Sequence, residues 1–225
     1  MAMILNIDTA TDHASVCISN DGNLLAIRES NSQKEHASFL HVAIKSLLEE
    51  VGLAPSALDA VAITAGPGSY TGLRVSMAAA KGLCYALKKP LIAVNTLEVM
   101  ARAARDLLLN QPGSPALLCP MIDARRMEVF TALYDFDLNV FLKPCSLVLE
   151  KDTFDVWLSK PIYFFGNVSG KAKLFESANS NIIDIQLSAI DLGKISFDLF
   201  NKRTFSNMAY LEPEYLKEFY TVKQV

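Results

Sequence analysis

The sequence predicts an α/β protein built from two related halves, and three observations support this fold class. Short apolar runs of strand length alternate with segments whose apolar residues recur at helical spacing. A β-hairpin signal opens the chain. After a turn-rich segment at residues 110–115, the opening pattern of strand, aspartate, polar turn and return strand recurs at residues 117–133. This recurrence indicates an internal duplication, with a chance likeness between two hairpins as the alternative.

The composition is that of a folded chain without a strong electrostatic field. Of the 225 residues, 51% are hydrophobic and 20% are charged, which is enough apolar material for a core. With a net charge of −3, the surface of the protein as a whole does not attract nucleic acid. No basic residue precedes Asp8, and no apolar run approaches the roughly 18 residues of a membrane span. We therefore expect a cytoplasmic protein that makes no membrane contact. Its cysteines are expected to be reduced and mostly buried: Cys17, Cys84, Cys119 and Cys145.

The first half, residues 1–109, is predicted to contain five strands and three helices. Apolar runs on both sides of the Asn-Asp-Gly-Asn turn at residues 20–23 predict three antiparallel strands in succession. A first helix follows, capped by Ser32 or Asn31 with Glu35 in a capping box, and it ends at Gly52. The remaining predicted elements are a strand at 58–63, a helix from the loop at 64–72 to about 87, a strand at 91–94, and a helix at 97–109 capped by Thr96.

The second half, residues 110–225, is predicted to be less regular. The chain from 209 to 219 carries too many aromatic residues for a disordered tail, so we expect it to dock back on the body of the protein. The predicted elements are strands at 117–122, 128–133, 138–142, 146–149, 161–165 and 182–185, a short helix at 170–177, and a longer helix at 188–201.

A glycine-rich loop between a strand and the second helix is the sharpest candidate site. Glycines allow backbone N–H groups to converge on an anion, and a helix N-terminus adds a positive dipole. Arg74 in the first helical turn does not favour that dipole, which suggests that it reaches for an anion or a carboxylate. The loop lacks a Walker A Gly-Lys-Ser/Thr, and a tight turn with a close packing contact explains it equally well. The loop residues are Gly66, Pro67, Gly68, Ser69, Tyr70, Thr71 and Gly72.

Asp8, Thr9 and Thr11 follow the first strand and form a second candidate group. A carboxylate and hydroxyls at a strand end can hold hydrated Mg²⁺ near phosphates. The alternative is turn chemistry, in which these side chains hydrogen-bond to their own backbone. The histidine pair His36 and His41 is five residues apart, which places the two side chains roughly 140° apart on a helix. We therefore predict no metal site there.

The second predicted helix is apolar on nearly all sides. A helix of this kind is buried all round, so we expect one side to face the sheet and the other to meet a second helix closely. That helix is either the first helix of the same chain or a helix of another subunit. A second apolar stripe on the first helix favours another subunit. The candidate partner interface is Phe39, Val42, Ala43, Val75, Ser76, Ala78, Ala79, Gly82, Leu83 and Ala86.

Five segments together resemble the TsaB family, also called YeaZ: residues 3–10, 66–74, 80–82, 122–125 and 213–217. The resemblance covers the full length, is densest through residue 130 and is thin from 135 to 205. The string Gly-Pro-Gly-Ser-aromatic-Thr-Gly-Leu-Arg in the loop is quite specific for this family. The resemblance implies the actin-like ATPase (ASKHA, ribonuclease H-like) fold, with two related subdomains of mixed sheets flanked by helices.

The resemblance also implies a function in forming N6-threonylcarbamoyladenosine at position 37 of tRNA. The chain would be a non-catalytic scaffold that binds and activates its paralogue, a TsaD-type transferase, through the first two helices. A TsaE-type ATPase would join a ternary complex, tRNA would bind only through the complex, and the chain alone would form a homodimer. No intrinsic cofactor is implied, although ATP or ADP with Mg²⁺ could bind at the complex interface.

The sequence departs from a catalytic pattern in its second half, which we interpret as a degenerate actin-like subdomain. Residues 122–126 contain no glycine for a second phosphate loop, and residues 166–170 are a weak substitute for an adenosine loop. These departures favour a pseudoenzyme. The alternative is a stand-alone ATPase or small-molecule kinase of the actin-like class that uses Asp8 and Asp123. The older label of the family, glycoprotease, has no support in these residues.

Overall fold

The computed structural model describes residues 1–32, 36–109, 116–167, 169–175 and 179–217, in which strands and α-helices alternate. The strands are β1 (Met3–Asp8), β2 (Ala14–Asn20), β3 (Asn23–Ser30), β4 (Ala60–Gly66), β5 (Leu91–Asn95), β6 (Leu117–Asp123), β7 (Glu128–Tyr134), β8 (Val140–Val148), β9 (Ile162–Gly166) and β10 (Ser180–Ile182). The helices are α1 (His36–Val51), α2 (Tyr70–Leu87), α3 (Thr96–Leu108), α4 (Ser169–Ala172) and α5 (Ala189–Asn201).

Two mixed five-stranded sheets share one connectivity. The first sheet has the order β3-β2-β1-β4-β5 and the second has the order β10-β9-β6-β7-β8. In the first sheet, β1 pairs antiparallel with β2 and parallel with β4. In the second sheet, β6 pairs antiparallel with β7 and parallel with β9. This equivalence is what the predicted duplication requires, and it confirms the predicted α/β fold class.

Local sequence signals account for most element boundaries. Asp21 and Gly22 adopt positive φ angles of 50° and 78° in the turn between β2 and β3, as the Asn-Asp-Gly-Asn sequence predicts. Gly52, with φ of 65°, follows the end of α1 as predicted. The capping-box residue Glu35 and the turn-rich segment 110–115 lie outside the described residues.

Several predicted elements are wrong in detail. Asn95, and not Thr96, caps α3, because its Oδ1 accepts hydrogen bonds from Leu97 N (2.9 Å) and Glu98 N (3.4 Å). The two strands predicted at 138–142 and 146–149 are the single strand β8, since Pro144 is tolerated in an edge strand. The strand predicted at 58–63 starts and ends later, and the strand predicted at 182–185 lies earlier, at β10. The helix predicted at 170–177 is α4 followed by a 3-10 turn through 175, and residues 176 and 177 lie outside the described residues.

The α5 helix comes from the second half of the chain but packs against β1 and β2 of the first sheet. Buried polar contacts fix it there. Ser196 Oγ donates to Asn6 Oδ1 (2.6 Å), Asn6 Nδ2 donates to Ser19 Oγ (2.9 Å), and Ala189 N donates to Ser15 Oγ (2.8 Å). Because each buried polar atom in this network has a partner, the network specifies one seating of α5 on the sheet.

Helices α1 and α2 cover the other face of the first sheet. Leu40 and Leu47 of α1 join Met77 and Cys84 of α2 in an apolar cluster with β1, β2 and β4. The cluster leaves the outer faces of both helices uncovered within the described chain. None of the described helices has the length and apolar character that a bilayer-spanning segment requires.

The four cysteines are free thiols, and three of them, Cys17, Cys84 and Cys119, are buried. Burial raises the pKa of both Cys17 and Cys119 to about 12 and that of Cys84 to about 11. Because the thiolate is the reactive form, these three side chains act as small apolar core residues.

Candidate functional site

The glycine-rich loop connects the end of β4 to the N-terminus of α2 and packs on the chain that follows β1. Ser69 caps α2, because its Oγ accepts a hydrogen bond from Gly72 N (3.3 Å). Ser69 N donates to Ala10 O (2.7 Å), and Thr9 Oγ1 donates to Gly72 O (2.8 Å). The loop and the residues after β1 therefore form one hydrogen-bonded unit.

Close backbone packing explains the glycines of this loop. A Cβ atom at Gly68 would lie 2.2 Å from Ala10 O, and one at Gly72 would lie 2.0 Å from Thr9 O. Gly66 has a φ of 122°, and a Cβ there would lie 2.5 Å from Glu214 O. Backbone oxygen atoms of the chain itself thus occupy the space that a side chain would need at each glycine. Of the two explanations left open by the sequence, the packing contact is sufficient for all three.

Asp8 is buried inside this unit. Its Oδ1 accepts hydrogen bonds from Thr64 Oγ1 (2.6 Å) and Ala10 N (3.2 Å), while Oδ2 has no hydrogen-bond partner among the described residues. Burial raises the pKa of Asp8 to about 6, because removal of water disfavours the charged carboxylate. Thr9 is also fully buried. Asp8 makes the predicted turn contact, with Ala10 N, whereas Thr9 binds Gly72 O, which is distant in sequence.

A cleft of about 950 Å³ lies between the two halves of the chain. It is lined by residues 10–12, the loop residues 67–71, residues 122–126 and residues 214–217. Asp123 in the cleft forms an ion pair and a hydrogen bond within the chain. Its Oδ1 lies 2.7 Å from Lys171 Nζ and accepts a hydrogen bond from Arg125 N (2.6 Å). These partners hold the pKa of Asp123 below its usual value, although burial opposes them. Glu128 forms an ion pair with Lys217.

The actin-like fold implies a nucleotide with Mg²⁺ in this cleft, but the residues present do not fit a resident ion. Asp8 is fully buried and does not line the cleft, and Asp123 is paired with Lys171. Glu214 fills the space above Gly66. Across the described ranges, no cluster of three or more His, Cys, Asp or Glu side chains is placed to hold a metal.

Arg74 contacts two tyrosines of the chain. Its Nε donates to Tyr215 Oη (3.0 Å), and its guanidinium carbon lies 3.9 Å from the centre of the Tyr70 ring. The Tyr70 and Tyr215 rings are 5.3 Å apart. A cation stacked on an aromatic face in this way is stabilised electrostatically without a counter-ion. The sequence reasoning did not identify either tyrosine as a contact of Arg74, since Tyr215 lies far away in the sequence.

The histidines lie in different environments. His36 is buried, with its Nε2 3.2 Å from Asp12 O, whereas His41 is exposed on α1. His13 Nδ1 lies 3.2 Å from Leu187 O. The Nδ1 atom of His36 is buried and has no hydrogen-bond partner among the described residues.

The predicted partner interface divides into three groups in the structure. Ser76 and Ala43 are buried inside the chain and cannot contact a partner, so the prediction is wrong for these two residues. Ser76 Oγ donates to Gly72 O (3.2 Å) inside its own helix. Phe39, Val75, Ala79 and Leu83 are half-buried along the contact between α1 and α2. Val42, Ala78, Gly82 and Ala86 are exposed.

One residue of this surface was missed by the sequence reasoning. Tyr85 is 79% exposed and lies on the same side of α2 as Ala78 and Gly82. Positions 78, 82 and 85 are four and three residues apart, so the helical spacing could have identified it. We call Ala78, Gly82, Tyr85 and Ala86 the α2 strip. An exposed aromatic beside small residues is typical of a protein interface.

The last described segment runs back over the first half of the chain. We call residues 204–217 the strap. Ser206 N donates to Leu91 O (2.8 Å), and Glu214 N donates to Ala65 O (2.7 Å). Met208 and Leu211 of the strap pack against the cluster beneath α1 and α2. The strap therefore connects the open edge of β5 with the glycine-rich loop.

Comparison with known proteins identifies the family. A family model described as TsaD, tRNA N6-adenosine threonylcarbamoyltransferase, matches residues 26–142. The tRNA threonylcarbamoyladenosine biosynthesis protein TsaB of Bacillus subtilis is 31% identical over 175 residues, which cover 73% of this chain and 70% of that protein. TsaB of Escherichia coli is 37% identical over 136 residues, which cover 60% of this chain and 56% of that protein.

Solved structures agree with the sequence comparison. YeaZ from Pseudomonas aeruginosa superposes with a TM-score of 0.77 at 26% identity, over 96% of this chain and all of that one. Because the superposition covers nearly all of this chain, it includes both sheets. Because the B. subtilis match is long and 31% identical, and because the fold agrees with that of YeaZ, the chain belongs to the TsaB (YeaZ) family.

Proposed function

We propose that this chain is a non-catalytic subunit in the formation of N6-threonylcarbamoyladenosine in tRNA, and that it binds and activates a TsaD-type transferase. The names of the B. subtilis and E. coli relatives support the pathway. The match to a transferase family model supports a common origin with the proposed partner. Paralogous chains of one fold often associate through equivalent surfaces.

The observation that carries the proposal is the exposed α2 strip. Beyond its own helical turn, a Cβ atom at Gly82 would have no described atom within 4 Å, so no contact in the described part of the chain accounts for a glycine in the middle of this helix. A glycine at such a position destabilises a helix, but it allows a second backbone to approach closely. Val42 on the neighbouring helix is 69% exposed. Small and apolar residues exposed on two adjacent helices indicate a helical partner.

The state of the acidic residues supports a non-catalytic role. Asp8 is buried with the glycine-rich loop packed over it, and Asp123 is neutralised by Lys171. A carboxylate needs access to the substrate to act as a base or to hold Mg²⁺. Asp8 lacks that access, and Asp123, although exposed in the cleft, is paired with Lys171.

The remaining partners follow from the same proposal. The heterodimer would recruit a TsaE-type ATPase, and ATP or ADP with Mg²⁺ would bind where the partner completes a site that this chain alone does not form. tRNA would bind through the complex, since the chain has a net charge of −3. In the absence of the transferase, the α2 strip would pair with its copy in a homodimer. The complex would act in the cytoplasm.

Co-purification with the TsaD-type protein of the same organism, followed by size exclusion with and without ATP, tests the proposal. We expect a one-to-one complex. Replacement of Ala78 by glutamate places a charge on the α2 strip, and we expect it to weaken the complex at least about a hundredfold, because the carboxylate loses its water without gaining a partner. Val156→Glu is the matched control, since Val156 is an apolar residue with 81% exposure outside the strip.

Two outcomes would contradict the proposal. An Ala78→Glu chain that binds as tightly as the unmodified chain would show that the partner surface lies elsewhere. Failure of the unmodified chain to bind, together with ATP hydrolysis that Asp8→Ala and Asp123→Ala abolish, would favour the stand-alone ATPase or kinase.

A further inference from the structure

The α2 strip is bordered by a different element on each side. At about 100° per residue, Val75 and Ala79 lie roughly 60° and 100° from Ala78 around the helix axis, and both pack against the cluster that α2 shares with α1. Arg74 and Lys81 lie roughly 40° and 60° from Ala78 on the opposite side. Both of these side chains contact the strap.

The strap holds the two charged side chains of α2. Lys81 Nζ donates to Leu211 O (2.6 Å), and Arg74 Nε donates to Tyr215 Oη (3.0 Å). Apart from Arg74 and Lys81, α2 contains no ionisable residue other than Tyr70, Tyr85 and Cys84. The strap is fixed beyond these contacts at both ends, by Ser206 on β5 and by the ion pair of Lys217 with Glu128.

We propose that the strap is a positioning element of the partner surface: it holds Arg74 and Lys81 to one side and so keeps the α2 strip apolar for the TsaD-type partner. This inference rests on the function proposed above. Lysine and arginine side chains are long enough to cross a helix face, and a released cation beside Ala78 would have to lose its water when a partner helix packs there. When the strap is in place, Lys81 donates a hydrogen bond to the carbonyl oxygen of Leu211 and Arg74 donates one to the hydroxyl of Tyr215. Both contacts hold the cations away from the α2 strip.

The strap also forms a wall of the surface. A helix that packs closely on Ala78 and Gly82 meets α1 on one side and the strap on the other. Tyr210 of the strap is 84% exposed, next to the residue whose carbonyl binds Lys81. The partner surface would therefore consist of three segments distant in sequence, and its assembly depends on the strap being seated.

The test combines release of the strap with removal of the cations, in the full-length chain. Tyr215→Ala with Lys217→Glu removes the contacts to Arg74 and Glu128, and hydrogen exchange at the Glu214 amide reports whether the strap is released. We expect faster exchange there and at least about tenfold weaker binding to the TsaD-type partner by titration calorimetry. Adding Arg74→Met and Lys81→Met should restore affinity to within about threefold, although the strap remains released. Lys151→Glu, a charge reversal at an exposed residue outside the strap, is the control.

Each outcome bears on the inference. Weaker binding on release, with rescue by the two methionines, supports the positioning role, because loss of general stability would not be rescued in this way. Unchanged exchange at Glu214, unchanged affinity after release, or absence of rescue would each overturn it. Failure of the unmodified chain to bind the partner would instead refute the proposed function, so the two failures are distinguishable.

Discussion

Replacement of Gly82 by alanine is expected to stabilise the isolated chain while weakening its complex with the partner. Gly82 lies inside α2, is exposed, and has no atom within 4 Å of the position that a Cβ would take. The added methyl group therefore meets no other element among the described residues. Its effect on folding is that of the helix backbone alone.

The magnitude of the stabilisation follows from helix propensity. Glycine in a helix interior is less favourable than alanine by about 0.5–1 kcal/mol, and no steric clash offsets this gain here. For a chain of this size, 1 kcal/mol shifts the midpoint of thermal unfolding by about 2–4 °C. We therefore expect a rise of about 1–4 °C.

The same methyl group has the opposite effect in the complex. If a partner backbone approaches α2 at Gly82, the extra carbon overpacks the contact, which typically costs about 1–3 kcal/mol. Affinity for the TsaD-type partner should then fall by about fivefold to 150-fold. A gain in stability together with a loss of affinity is specific for an interface residue. A residue with only a folding role would change the stability of the chain without weakening the complex.

Thermal unfolding monitored by circular dichroism, repeated at several protein concentrations, separates folding from self-association, because association makes the midpoint depend on concentration. Gly52→Ala is the matched control. Gly52 also has no atom within 4 Å, but its φ of 65° strains any residue with a Cβ, so we expect a loss of about 1–2 kcal/mol. A Gly82→Ala chain that unfolds earlier than the unmodified one, or that binds the partner with unchanged affinity, would refute the reasoning.

Two further predictions concern the glycine-rich loop and the buried carboxyl group of Asp8 next to it. Gly68→Ala should destabilise the chain by at least about 1–3 kcal/mol, because its Cβ would lie 2.2 Å from Ala10 O. Urea unfolding measures the loss of stability. An unchanged unfolding midpoint would contradict the packing contact. Burial raises the pKa of Asp8 to about 6 in the folded chain, above the value of about 3.9 in an unfolded chain. The folded state therefore binds more protons between those values, so stability should fall by up to about 3 kcal/mol as the pH rises from about 4 to about 6. Asp8→Asn should remove most of this slope in unfolding experiments from pH 4 to 7, and a slope that persists would exclude Asp8 as its source.

Most of the secondary structure follows from local sequence. The turn at Asp21 and Gly22, the end of α1 at Gly52 and the Ser69 cap of α2 each depend on residues within a few positions of one another. The two strands predicted at 138–142 and 146–149 depended instead on a feature that is not local. Pro144 would interrupt a central strand, but β8 is an edge strand, and that position is a property of the whole sheet.

The candidate partner surface was predicted in part. The apolar character of α2 correctly identified Ala78, Gly82 and Ala86 as residues outside the core. Ser76 and Ala43 were misplaced, since both are buried. A helix that is apolar all round has no periodicity to show which side faces the sheet, so only the packing of α1, α2 and the strap distinguishes the exposed strip from the buried faces.

Hydrophobic periodicity and turn residues act over short distances, so the sequence predicts most of the strands and helices and the glycine-rich loop before α2. The contacts of that loop depend on the three-dimensional packing of distant segments. Glu214 approaches Gly66, Tyr215 receives Arg74, and Thr9 lies against Gly72. Each pair is distant in sequence and meets because the sheet and the strap bring the segments together, and no local pattern encodes which backbone fills the space above a glycine.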